Sequence, residues 1–457
     1  MKLSFTFLIG LLALTPAARS TPVAESIAGY EPVRTQGEIA EYRLKSNDLQ
    51  VLLLPDRSVP VVTFMVTYRV GSRHEVAGTT GATHLLEHMM FKGTPTYNRE
   101  RGTGIDQILE RLGAISNATT WLDRTNYYAT LGSEHLETYI RIEADRMRNL
   151  WLREEDRRPE MTVVRNEFEI EENDPAQTLT KEIMATAYLA HPYHHSTIGW
   201  RSDIERVPIE KLRAFYDTYY WPNNATVSVI GDFEPAAALA MIRTHYGAIP
   251  KSPHPIPMPY TEEPPQTGPR RVTVKRPGEL GLVAVAHKIP SGRHPDTPAL
   301  QILSAILSSG KSSRLYRALT DQNLTLQVSG DAGFFHDPSV HTLYAYLAPE
   351  SEHQKVESIM LREIERLKTD GVTSAEVTTA ANQILASLAY ARDGSFGLAS
   401  TLNEYIAVGD WTLFLTIEDA LRATTPLSVR EAARKYLVED QSTTGWFVPV
   451  SPSEPSR

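Results

Sequence analysis

The 457-residue sequence contains no cysteine. That excludes disulfides, thiolate zinc sites, cysteine nucleophiles, iron–sulfur clusters and the lipidated cysteine of a bacterial lipoprotein. It also lacks a basic surplus, because 46 Lys+Arg stand against 55 Asp+Glu for a net charge of −9. Contact with a phosphate backbone needs a basic face, so no nucleic-acid partner is expected. Long apolar runs are absent apart from Leu3 to Leu14. At about twelve residues that run is shorter than the ~20 needed for a membrane-spanning helix, so no membrane span is expected. The remaining composition, 41% hydrophobic and 22% charged, is enough to form cores rather than a disordered chain. The length predicts two or more domains.

The apolar run follows Lys2 and leads into Pro16, Ala18 and Ser20. A positive start, a short apolar stretch and small residues at a cleavage site are the order of a secretory signal peptide, read here as residues 1–20. The mature protein is expected to be exported, periplasmic or secreted. Without disulfides it must be held together by its cores or by bound metal.

Between Lys251 and Arg270, KSPHPIPMPYTEEPPQTGPR places seven prolines in twenty residues. Such a stretch cannot continue a helix or sit in a central strand, so it reads as a semi-rigid linker over 251–270. It separates an N-terminal domain (21–250) from a C-terminal one (271–457). The halves resemble each other. VTFMVTYRVGSRHEVAGTTGATHLLEHMMFKGT from Val62 is matched by LVAVAHKIPSGRHPDTPALQILSAILSSGKSSRL from Leu282. In each, a β-rich run enters a Gly/Ser/Arg/His turn and then an amphipathic helical pattern, which points to an internal duplication. Interleaved strands and helices give an α/β (α+β) class. In the first half the pattern predicts strands over 51–54, 61–68 and 225–230, a strand or hairpin over 119–131, and helices over 81–91, 136–150 and 154–173.

The chemistry centres on His84-Leu85-Leu86-Glu87-His88. Four residues apart on a helix, the two histidines project from one face and can share a metal ion. Glu87 leans over the same face, where its carboxylate can take a proton from water at the metal. Imidazole and carboxylate donors suit Zn²⁺, and a catalytic zinc takes three protein ligands and leaves one position open. The second half carries no His or Glu in the corresponding LQILSAILSS, so one zinc per chain is expected. The third ligand must come from elsewhere. The helix over 154–173 carries Glu160 and Glu167 two turns apart on one face, one able to ligate and the other to support. Spacing alone does not separate Glu167 from Glu169 or Glu171.

GATHLLEHMMFKGT, NATTWLDRTNYYATL, PEMTVVRNEFEIEEN, HPYHHSTIGW, YYWPNNATVSVIGDFEP and SSRLYRAL together resemble the pitrilysin-like M16 zinc metallopeptidases, the inverzincins. The resemblance is to the branch holding mitochondrial processing peptidase and bacterial periplasmic relatives. It implies two ferredoxin-like α/β repeats joined by a linker, a zinc endopeptidase or oligopeptidase activity, Glu167 as third ligand, Glu87 as general base, and a family glutamate at Glu160. It also implies that 117–128 is the edge strand of the active site, although Trp121, Tyr127 and Tyr128 suit a core strand equally. Two bowl-like halves would enclose a peptide.

His191, His194 and His195 read as solvated loop residues without a ligand role. Arg314 reads as structural. Some relatives grip the substrate carbonyl with an Arg and a Tyr from the C-terminal half. Here Val328 to Leu347 offers tyrosines but no arginine. A heterodimer with a non-catalytic M16-like subunit is therefore expected, with a homodimer as the alternative.

Overall fold

The structure, a computed structural model, describes residues 27–450. The expected signal peptide at 1–20 lies outside the described residues. The first sheet comprises β1 (Tyr30–Gln36), β2 (Ile39–Leu44), β3 (Gln50–Pro55), β4 (Val61–Tyr68), β5 (Ile115–Thr120), β6 (Thr125–Gly132) and β7 (Ala225–Gly231). Its helices are α1 (Ala82–Met89), α2 (Ile105–Arg111), α3 (Leu136–Arg148), α4 (Glu154–Asn173), α5 (Pro175–Ala187), α6 (Arg201–Arg206), α7 (Ile209–Tyr219) and α8 (Pro235–Tyr246). The second sheet comprises β8 (Arg270–Pro277), β9 (Leu282–Ile289), β10 (Thr325–Ala332), β11 (Ser339–Leu347) and β12 (Ser442–Val450). With it run α9 (Thr297–Ser308), α10 (His353–Asp370), α11 (Ser374–Ala391), α12 (Gly394–Val408), α13 (Leu413–Ala423) and α14 (Pro426–Tyr436).

The duplication is visible in the topology. The strand orders are β1-β2-β3-β7-β4-β6-β5 and β10-β11-β9-β12-β8. Apart from the added β1 and β2, the second order read backwards repeats the first. The first strand pairs in parallel with the last in each half, β3 with β7 and β8 with β12. The other neighbours are antiparallel. The stretch around 119–131 is a hairpin of β5 and β6, with β5 at the free edge of the sheet.

Alternate side chains of each central strand enter different cores. Val62, Phe64 and Val66 of β4 face α3 and α8 in the first core, whereas Met65 joins a core built mainly by the second half. In β9, Val283 and Val285 face that same second-half core. Leu282, Ala284 and Ala286 instead meet Leu179, Ile183 and Ala187 of α5. Each half thus donates a helix to the other: α5 covers the second sheet, and α12 lies on β4 and β7 of the first. A Cβ at Gly445 of β12 would come within 2.8 Å of Ile183, so glycine is what lets α5 approach that closely. Both faces of β7 are covered, and all seven of its residues are buried.

The two halves are thus interlocked. Opening the halves would expose the apolar faces of α5 and α12, at about 25 cal/mol per Å². The proline-rich stretch carries no helix or strand over 251–269 and is tied down: Glu263 accepts hydrogen bonds from the backbone N–H groups of Leu189, Ala190 and His191 at 2.8–3.1 Å. Among the described residues, no helix is long and apolar enough to cross a membrane.

His287 on β9 and His341 on β11 are directly paired across the strands and are 3% and 0% exposed. Burial pushes them down to about 3 and about 4, with neighbouring His341 and Lys368 adding to the effect on His287. The unfolded chain therefore takes up these protons first. Their contribution to stability is complete above about pH 6.5 and is lost as pH falls towards the folded values. Each histidine should cost roughly 2 kcal/mol between pH 6.5 and 5. Tm measured across that range should fall, and should fall less steeply in a His287→Leu/His341→Leu variant; parallel curves would contradict this.

Candidate metal centre

The lead-in to α1 is set by a glycine. Gly81 has φ +82°, and a Cβ there would lie 2.4 Å from the Ile198 carbonyl oxygen. Buried Glu75 then caps the helix, accepting from the Gly81 and Thr83 N–H groups at 2.8 and 2.7 Å. Leu86 and Met89 anchor α1 in the first core, and Leu85 packs with Val164 and Phe168 of α4. The remaining face holds His84 and His88 opposite α4.

Their Nε2 atoms stand 3.3 Å apart. Glu167 Oε2 lies 3.7 Å from His84 Nε2 and 3.5 Å from His88 Nε2. A point equidistant from the corners of such a triangle is about 2 Å from each, the bond length of zinc to nitrogen and oxygen. Among the described residues this is the one group of three or more His, Asp or Glu side chains close enough to share a metal. Two imidazole nitrogens facing each other beside a carboxylate oxygen form a donor set suited to a divalent cation. Burial pushes His84 down to about 4, so its imidazole is neutral, the metal-binding form.

Glu160 stands behind His88. Its Oε1 lies 2.8 Å from His88 Nδ1, and the carboxylate also pairs with Lys92, three residues beyond the end of α1. Desolvation opposes ionisation of Glu160, but the His88 and Lys92 contacts outweigh it and hold the carboxyl below its usual range. This contact fixes the His88 ring with Nε2 towards the triangle. Glu160→Gln should weaken zinc affinity about 10- to 100-fold without emptying the site, as read by competition with a fluorescent chelator. Of the other glutamates on α4, Glu169 points to Arg201 at 3.8 Å and Glu171 lines a cavity.

Glu87 is 8% exposed, and its Oε2 accepts a hydrogen bond from the Thr120 hydroxyl at the end of β5. Burial raises its pKa, partly offset by that bond and by the charges of His88 and Arg124. Thr120 and Lys92 were not legible as site residues, because their contacts exist only once the edge strand and α4 close around α1.

A cavity of about 440 Å³ is lined by Glu171 and Glu172 of α4, the helix that carries Glu167. Trp121 from the hairpin turn, Lys181 and Met184 of α5, and Tyr344 and Tyr346 of β11 contribute to its wall. The stretch from Val328 to Leu347 lines this cavity with tyrosines and Asp331 rather than an arginine. Trp121 is 47% exposed while Tyr127 is fully buried, so the hairpin combines an open edge with a core strand. Arg314 is structural, bonded to Glu376 and to the Gly371 carbonyl oxygen, each at 2.8 Å.

The expectation of a solvated HPYHH loop is wrong. His191 and His195 are 4% and 2% exposed, because the loop is wedged between α5, the lead-in to α1 and the second half. Neither belongs to the metal group.

Residues 50–200 match the family model described as Insulinase (Peptidase family M16), and residues 206–384 match the Peptidase M16 inactive domain. The zinc protease PqqE of Helicobacter pylori is 32% identical over 411 residues, 88% of this chain and 91% of that protein. The chain belongs to peptidase family M16. A crystal structure of a protease from Helicobacter pylori superimposes with a TM-score of 0.86 at 30% identity, covering 91% of this chain and 100% of that one. The probable mitochondrial-processing peptidase subunit beta of Arabidopsis thaliana is 24% identical over 88% of this chain and 77% of its own. In this M16 chain, α9 follows β9 as α1 follows β4, and it presents Gln301, Ser304 and Ser308 but no metal ligand. That agrees with the description of the second domain model as inactive.

Proposed function

We propose that the protein is an exported, zinc-dependent endopeptidase or oligopeptidase acting on extended or unfolded peptides. His84, His88 and Glu167 would hold one Zn²⁺ per chain. The observation that carries this reading is the 3.3–3.7 Å triangle of their donor atoms beside the carboxylate of Glu87. A zinc bound there would polarise the peptide carbonyl and make water a better nucleophile near neutral pH.

The chain's own groups do the rest. Glu87 takes the proton of the attacking water at its carboxylate and returns it to the departing amine. Thr120 holds that carboxylate in place, and Glu160 orients His88. The free edge of β5 can bind an extended peptide through backbone hydrogen bonds, which tolerates many sequences.

A second chain belongs to this reading, either a non-catalytic M16-like subunit or a second copy. The interlocked halves favour it, since a peptide-enclosing chamber then needs another subunit. The tyrosine-bearing wall without arginine favours it too. Export rests on the signal-like N-terminus.

The test is metal analysis with a chelator-sensitive assay on an unstructured peptide, with and without any co-purifying subunit. One zinc per chain and zinc-restorable cleavage are expected. A zinc-loaded protein that cleaves nothing in either form would favour a structural or peptide-binding subunit.

A further inference from the structure

Among the described residues the second half contributes nothing to the metal group, yet it grips the active-site edge strand from two sides. On one side is a buried polar cluster. Arg73, in the loop entering α1, is 3% exposed; its Nε lies 3.0 Å from Asp123 Oδ1, and its Nη1 donates to Asp337 Oδ2 at 2.5 Å. Asp123 sits in the turn between β5 and β6, and Asp337 in the loop between β10 and β11. The backbone N–H of His336 donates to Asp123 Oδ2 at 3.0 Å. The Tyr193 hydroxyl donates to Asp123 Oδ1 at 2.8 Å and accepts from the Asp337 N–H at 3.1 Å. His191 Nε2 lies 3.1 Å from Asp337 Oδ2.

On the other side, Glu404 of α12 accepts from Arg124 Nε and Nη2 at 3.0 and 2.5 Å. Arg124 in turn donates to the Thr119 carbonyl and hydroxyl oxygens at 3.2 and 2.6 Å. Between these grips, the N–H groups of Ser72 and Arg73 donate to the Trp121 and Leu122 carbonyls at 3.1 and 2.9 Å. The approach is so close that a Cβ at Gly71 would lie 2.2 Å from the Trp121 oxygen.

We propose that the metal-free half is a positioning device for the reaction. Through His336–Asp337 and Glu404 it holds the turn Trp121–Arg124 against the lead-in to α1, and so fixes Thr120 on the carboxylate of Glu87. Asp337 and Glu404 are positioning residues, 250 and 317 residues distant in sequence from the group they serve (337 − 87 and 404 − 87). The claim rests on the peptidase reading for its kinetic arm only.

The test uses the zinc-loaded full-length protein. Asp337→Ala should speed amide exchange over 115–124 at least about tenfold, because it releases the turn locally. It should lower kcat/KM about tenfold or more with zinc content unchanged, since the turn anchors both Thr120 and the peptide-binding edge of β5. Glu404→Gln should move both readings in the same direction, less far. Trp411→Phe is the control: it removes the Trp411 Nε1 bond to Glu41 Oε2 (2.9 Å), which joins the halves at β2, four strands away from β6 of the hairpin. It should lower Tm while leaving hairpin exchange and kcat/KM alone. Unchanged hairpin exchange in Asp337→Ala, or an equal loss of kcat/KM in Trp411→Phe, overturns the proposal. If the wild type binds zinc but cleaves no peptide, the peptidase reading falls instead, and the exchange measurement still decides the positioning claim.

Discussion

Replacing Glu87 with Gln should reduce kcat on an unstructured peptide by about 10²- to 10⁴-fold, the range for loss of a positioned general base. The amide keeps the size of the carboxylate and can still meet the Thr120 hydroxyl, so the packing of α1 should survive. Glu87 is not part of the donor triangle of His84, His88 and Glu167. Zinc content by elemental analysis should therefore match the wild type. The combination decides between readings: a dead but zinc-replete variant marks Glu87 as the proton carrier. Joint loss of metal and activity would instead mean that Glu87 ligates or that the helix has collapsed. If peptide turnover proved indifferent to this substitution, hydrolysis at this centre would be excluded.

Removing a ligand should act on both quantities. His88→Ala leaves a pair of donors 3.7 Å apart, His84 Nε2 and Glu167 Oε2, and frees the Glu160 carboxylate from its histidine. Zinc retention and activity should both vanish, and added zinc should not restore them. In the wild type, chelation should abolish cleavage reversibly. It should also lower Tm, because a ligand at a thousand times its Kd stabilises the native state by about 4 kcal/mol. With no cysteine in the chain, no disulfide masks that shift. A Tm indifferent to chelator in the wild type would argue that the triangle does not hold a metal in solution.

The parts of the site that were legible are local ones. His84, Glu87 and His88 lie within one helical turn and a half, where the 3.6-residue period alone puts the two imidazoles on one face. Glu167 was harder. Glu160, Glu167, Glu169 and Glu171 compete on α4, and which one meets the histidines depends on how α4 crosses α1 through Leu85, Val164 and Phe168. Resemblance selected it, and the crossing is what places it. The duplication was legible from one repeated strand–turn–helix segment, and the strand orders repeat it throughout.

The sequence by itself determined the pairing of the two histidines on α1, the α/β class, the lack of His and Glu in the second copy of the helix and the absence of helix or strand over the proline-rich 251–269. Each follows from periodicity, composition or residue chemistry over a few turns of chain. Only the tertiary structure decided that α5 and α12 are exchanged between the halves, that His191 and His195 are buried, that Thr120 meets Glu87, and that Asp337 and Glu404 reach Arg73 and Arg124 at the β5–β6 hairpin. Those contacts join residues dozens to hundreds of positions apart. They are selected by which apolar faces must be covered and which buried charges must find partners, and neither is encoded in local spacing.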